Sequence, residues 1–283
     1  IKYKSKKMRE LVSTNWLFKN SKNIKLIILD CSLHMPYEKR NAKKEYNNCH
    51  IENAFFFDIE KISNTKSKLP HMIPKSNLFK IEVKKFGINS DSIIVVYDSK
   101  GIFSSARVWW MFKYFGHKQI FVLNGGLIKW LKENKPITKK KNFNKKGNFK
   151  CKISKQWLVN KQQVLNNIYS KTSLLLDARD KNRFNGIAKE PRKNIRLGHI
   201  PESKNIFWKD LITSEGTLIS KQSINNIFKN LGVKNKKIIT SCGSGITACV
   251  LSLSLLHGLK IQSSVYDGSW TEWAQNKKLP IEI

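Results

Sequence analysis

One plan runs through this chain twice, in the same order, and that repetition limits the possible folds more than any single motif does. Residues 25–30 read KLIILD, a short apolar run ending in Asp, and residues 172–177 read TSLLLD. His50-Ile51 leads into Ala54 and an aromatic run, and His199-Ile200 leads into Asn205, Ile206 and Phe207. A second apolar run follows in each half, at 93–97 and at 238–241, and each half closes on a Gly-Trp segment, NGGLIKW at 124–130 and DGSWTEW at 267–273. Gly125 and Gly268 lie as far apart as Trp130 and Trp273, whereas His50 and His199 are slightly farther apart, so a small insertion separates the copies. Four ordered matches describe a duplicated domain of roughly 140 residues. Continuous Ile/Val/Leu runs alternating with stretches of helical length, such as 106–115 and 246–258, give an α/β class in which each half is a mainly parallel sheet flanked by helices. Ligands of such sheets sit beyond the carboxyl ends of the strands. Residues 136–150, PITKKKNFNKKGNFK, are polar and Lys-rich, which divides the chain into a first domain at 1–137, a linker at 138–150 and a second domain at 151–283.

The net charge of +33 raises nucleic acid as a partner. Only seven of the 53 basic residues are Arg, however, and the Lys are spread throughout, a pattern that AT-rich coding also produces. No zinc-finger spacing, aromatic RNA-binding strand or arginine-rich helix occurs, so no nucleic-acid partner is expected. No apolar run approaches the roughly 18 residues of a membrane span. Five Cys in 283 residues are sparse and odd in number, which suits a reducing compartment. Residues 1–9 are basic and lack the apolar region of a signal peptide, so the expected location is the cytoplasm. A metal site is not expected either, because there is no CxxC and the six His are scattered.

The sharpest chemical feature is KKIITSCGSGITACVLSLSLL at 236–256. An apolar strand ends at Cys242, three small residues follow, and an apolar helix begins. Consecutive amides in a tight Gly-containing turn form an anion nest, and the helix behind it adds unpaired N–H groups and the positive end of its dipole. Both favour thiolate over thiol. Cys249 reads instead as a core residue. The matching position in the first half is Asp98, which has no soft nucleophilic sulfur, so covalent chemistry is expected in the second half alone. His50 and His199 recur in both halves, which argues for a role in the fold. Trp109, Trp110, Phe112, Trp130 and Trp273 read as packing, and Asp30 and Asp177 as turn caps at strand ends.

With these residues in place, the chain resembles the two-domain rhodanese family, in its 3-mercaptopyruvate sulfurtransferase branch. The segments that carry the likeness are NAFFFDIE (53–60), ARVWWMFKYFGH (106–117), FNGIAKEPRKNIRLGHIP (184–201), CGSGITAC (242–249) and YDGSW (266–270). The resemblance implies an inactive first rhodanese-like domain, an active second one and a cleft between them. It implies transfer of sulfur from 3-mercaptopyruvate through a Cys242 persulfide to a thiol, a thioredoxin-like protein or cyanide, with pyruvate released and no cofactor required; a monomer is expected. Gly243, Gly245, Ile246 and Thr247 would shape the substrate loop. Arg183 and Arg192 fall on the family's substrate-binding arginines, a suitable pair for a carboxylate. Ser244, His71 and Glu60 fall on a relay that polarises the serine. The family pattern has Asp where Glu60 stands, and Asp58 is a nearby competitor for the role. A thiosulfate-using enzyme is the alternative, but that branch places Arg and Lys directly after the cysteine, where this chain has the neutral Gly243 and Ser244. A cysteine-dependent phosphatase would close its loop with an Arg, which is absent here. A non-enzymatic sulfur carrier would keep Cys242 without turnover.

Overall fold

Two five-stranded parallel sheets carry the molecule, and their strand orders coincide. The computed structural model describes residues 10–283; the basic stretch 1–9 and the first residues of the first domain lie outside the described residues. The first half contains β1 (Leu11–Val12), β2 (Leu26–Asp30), β3 (His50–Ile51), β4 (Ala54–Phe56), β5 (Ile93–Tyr97), β6 (Ile120–Leu123) and β7 (Ile137–Thr138). The second contains β8 (Leu158–Val159), β9 (Ser173–Asp177), β10 (Ser203–Asn205), β11 (Lys237–Ser241) and β12 (Ser263–Tyr266). The first sheet runs β1-β6-β5-β2-β4 and the second, read in the same direction, β8-β12-β11-β9-β10. Strands β3 and β7 form a separate antiparallel pair.

The registers also agree. Asp30 at the end of β2 lies opposite Tyr97 of β5, and Asp177 at the end of β9 lies opposite Ser241 of β11. The next residues along β5 and β11 are Asp98 and Cys242, which therefore leave equivalent points on the carboxyl edges of the two sheets. Asp30 and Asp177 cap the turns that follow, accepting the N–H of Ser32 and of Arg179.

Helices α1 (Thr14–Asn20), α2 (Ala42–Asn48), α3 (Ser76–Lys85), α4 (Ser104–Tyr114) and α5 (Gly126–Lys132) belong to the first half. Helices α6 (Lys161–Ser170), α7 (Lys181–Phe184), α8 (Lys221–Lys229), α9 (Ala248–Leu259) and α10 (Ser269–Gln275) belong to the second. Helix α4 is buried along most of its length because it packs against its own sheet and against α9 of the other half. A single apolar core therefore crosses between the halves, with Trp109, Phe112 and Phe79 on one side and Ile246, Cys249 and Leu253 on the other. Two smaller cores fill the outer faces, around Trp130 in the first half and Trp270 and Trp273 in the second.

The duplicated residues serve as duplicated supports. His50 stacks on Tyr46 and its Nδ1 meets the Tyr46 carbonyl, and His199 does the same with Phe184. The Trp130 indole N–H donates to the Pro136 carbonyl and that of Trp273 to the Pro280 carbonyl. Beyond Thr138, the segment 138–150 has no regular structure, yet it is strapped to the first half. Gly147 N–H donates to the Lys84 carbonyl and Phe149 N–H to that of Ile88, and the Phe149 ring is buried in the shared core.

Candidate active site

Strand β11 delivers Cys242 to the carboxyl edge of its sheet, and the loop that follows turns into α9. Gly245 makes the turn possible, with a φ of +76°, a conformation that side chains oppose. The amides of Gly243 through Thr247 donate to no protein acceptor among the described residues. A group of unpaired N–H donors beside a cysteine is a setting for negative charge. The YDGSW segment brackets the loop from behind. Trp270 N–H donates to the Cys242 carbonyl, Thr271 donates through N–H and Oγ1 to the Gly243 carbonyl, and Cys242 N–H donates to Ser269 Oγ. Ser269 Oγ lies 4.0 Å from Cys242 Sγ.

The equivalent loop of the first half fills its own nest. Asp98 is buried, and its carboxylate accepts the N–H groups of Lys100, Phe103 and Ser105, each at 2.8 Å.

Cys242 lines a cleft of about 820 Å³ between the two halves. One wall carries Tyr37, Lys100 and Phe103 of the first half; the other carries Gly243, Ser244, Thr247, Arg183 and Arg192 of the second. Gly245 also faces the other half. It is turned to the domain boundary, where its carbonyl accepts from Arg107 and an added methyl group would lie 2.7 Å from the Asp267 carbonyl.

The four expected catalytic residues converge from both halves. His71 Nδ1 is 3.2 Å from Ser244 Oγ, and His71 Nε2 is 3.8 Å from Glu60 Oε1. Asp58 is committed elsewhere, since its carboxylate caps Lys61 N–H. Burial pushes the His71 pKa down to about 4, helped by the positive charges of Arg107 and Arg192 and opposed by a hydrogen bond to the Ser244 backbone. His71 is therefore neutral at physiological pH, and its two nitrogens offer one donor and one acceptor.

The arginines sort by their partners. Arg179 is buried in a fork with Asp177 and Glu190, and Arg196 donates to three carbonyls at the end of α10, so both belong to the scaffold. Arg183 shares Glu190 through Nε and Nη2 while facing the cleft. Arg192 makes no ion pair among the described residues. Burial lowers its pKa, an effect that the neighbouring Cys242 opposes and Arg183 reinforces. A desolvated, unpaired guanidinium beside the cysteine is suited to an anionic substrate. The sequence reading missed Arg107, Asp267 and Glu190. Arg107 stands in the segment ARVWWMFKYFGH, where its place among aromatic helix residues hid it.

Comparison with known proteins agrees with this architecture. The Rhodanese-like domain model matches twice, at residues 13–133 and 160–276. The mitochondrial thiosulfate/3-mercaptopyruvate sulfurtransferase 1 of Arabidopsis thaliana is 40% identical, over 96% of this chain and 78% of its own length. The 3-mercaptopyruvate sulfurtransferase of Escherichia coli K12 is 36% identical over 96% of this chain and 97% of its own. The crystal structure of SseA, a 3-mercaptopyruvate sulfurtransferase from Escherichia coli, superposes with a TM-score of 0.85 at 34% identity, covering 93% of this chain and 99% of that one. With the model matched in both halves and relatives of this identity along nearly its full length, the chain belongs to the rhodanese family.

Proposed function

We propose that this protein is a 3-mercaptopyruvate sulfurtransferase whose second domain carries the chemistry. The Cys242 thiolate attacks the substrate's sulfur. An S–S bond forms, the carbon–sulfur bond breaks, and its electron pair leaves with the pyruvate enolate. The proton brought by the substrate's thiol passes to the enolate carbon, giving pyruvate and a Cys242 persulfide. A thiol, a thioredoxin-like protein or cyanide then takes the outer sulfur and releases the Cys242 thiolate. Arg192 and Arg183 hold the carboxylate. The Ser244 hydroxyl stands where the enolate oxygen develops, and His71, oriented by Glu60, exchanges the proton of that hydroxyl.

The observation that carries this reading is the convergence at Cys242 of an amide-lined loop, the Ser244–His71 contact and the unpaired Arg192. The donors are separated by steady-state turnover with 3-mercaptopyruvate and thiosulfate in parallel, using cyanide as acceptor and Cys242→Ala as control. Preference for mercaptopyruvate, abolished in the variant, supports the reading. Preference for thiosulfate makes the protein the other kind of sulfurtransferase, a possibility raised by the plant relative, whose name carries both donors. The neutral Gly243 and Ser244 weigh against that outcome. A folded, reduced protein that turns over neither donor and takes up no sulfur is a binding module.

Both walls of the cleft come from one chain, so a monomer suffices. Five free cysteines suit a reducing compartment such as the cytoplasm. No helix among the described residues is long and apolar enough to cross a membrane.

A further inference from the structure

His71 belongs to the first half and Ser244 to the second, so their contact depends on how one half is held against the other. The backbone of His71 has an uncommon conformation. Its φ is +59°, in the left-handed region that residues with a side chain seldom occupy. Contacts from other elements hold this segment in place.

Two contacts do so here. Arg107 of α4 donates through Nη2 to the His71 carbonyl, and Asp267 of the second half accepts the Ile73 N–H through Oδ2 at 2.6 Å. Arg107 Nη1 in turn donates to Asp267 Oδ1 at 2.6 Å and to the Gly245 carbonyl at 3.1 Å. The guanidinium has no solvent exposure and lies over the Trp110 ring, 4.5 Å from its centroid. One planar cation therefore ties the backbone of His71 to the loop that carries Ser244, and Asp267 closes the circuit two residues farther along the first-half chain. None of these contacts lies on the cleft wall.

We propose that Arg107 is a positioning residue: it sets the His71–Ser244 separation across the domain boundary and acts on catalysis only through that pair. The inference rests on the mercaptopyruvate reading above. A lysine at this position keeps the charge opposite Asp267, but its single nitrogen cannot reproduce the fork that reaches His71 and Gly245 together.

The test is a double-mutant cycle on mercaptopyruvate turnover with Arg107→Lys, His71→Gln and the double variant. Arg107→Lys alone should lower kcat about 10- to 100-fold, the scale of a misplaced catalytic group, with KM changed less than about threefold. In the His71→Gln background the same substitution should cost less than about twofold further. Equal losses in both backgrounds overturn the proposal, because a merely structural arginine lowers both alike. So does a His71→Gln variant with full activity, which leaves nothing to position. If Arg107→Lys does not fold, Asp267→Asn, which retains the shape and one oxygen acceptor for Arg107, is put through the same cycle with the same criteria. Failure of the wild-type protein to turn over mercaptopyruvate sinks the underlying reading and is seen before any variant is made.

Discussion

At Gly243 a methyl group would lie 3.0 Å from Nη2 of Arg183, a distance that forces the guanidinium to shift. Gly243→Ala should therefore raise KM for mercaptopyruvate about three- to tenfold while leaving kcat within about twofold, read from steady-state kinetics. Arg192→Met removes an unpaired cation from the cleft and should raise KM about 10- to 100-fold, the worth of a charge-assisted hydrogen bond; an unchanged KM would place the carboxylate elsewhere. His71 supplies a pH signature. Its pKa is about 4 in the folded protein, held down by burial and by Arg107 and Arg192, against roughly 6.5 unfolded. The unfolded chain binds the proton first as pH falls, so this contribution to stability is intact above pH 6.5 and is lost on the way down to 4. At pH 5 the loss is about 2 kcal/mol. Asp30, raised to about 6 by burial, works in the opposite direction, so the comparison to make is wild type against His71→Gln. Urea midpoints of the two proteins should fall by different amounts between pH 7 and pH 5, with the variant losing less. Of the candidate site, Cys242 was legible from its strand–Gly loop–helix setting, while Ser244, Arg183 and Arg192 entered through the family resemblance. Arg107 was not, because its meaning arises only when α4 of one half meets a loop of the other.

Among the elements, β5 and β11 were readable from their apolar runs, and α4 and α9 within two residues of their ends. Short strands such as β1 and β8 were not, since two residues carry no periodicity and are strands only because β6 and β12 lie beside them. The segment 138–150 misled in a different way. Its composition is that of a linker, yet Phe149 is anchored in the shared core and the backbone on either side is hydrogen-bonded to the first half. Phe149→Ala should destabilise the protein by about 3–5 kcal/mol, the cost of emptying an aromatic site in a packed core. Thermal or urea unfolding measures this directly. A loss below about 1 kcal/mol would mean that the strap contributes little to the fold.

The molecule as a whole has one central core rather than two. Interfaces between domains of one chain usually permit motion unless they are large and apolar. Here α4 and α9 pack face to face, and the apolar cluster runs from Phe79 through Trp109 to Leu253 without a break. Unfolding by urea should follow a single transition that coincides by tryptophan fluorescence and far-ultraviolet circular dichroism; two separated transitions would show that the halves are independent. The duplicated plan was visible in the sequence, but the merging of its cores was not, because the contacts between α4 and α9 have no signature in either helix alone. The duplication also left an internal standard. Asp98 and Cys242 leave their sheets at the same point, and a persulfide extends two atoms beyond Cβ, as far as a carboxylate oxygen does. On the mechanism proposed above, the carboxylate that Asp98 buries among three amides is thus a standing replica of the persulfide that Cys242 would carry for part of each cycle. On that mechanism, one half of the chain holds in its resting state the charge arrangement that the other half would visit, and the two loops differ in whether that charge can leave.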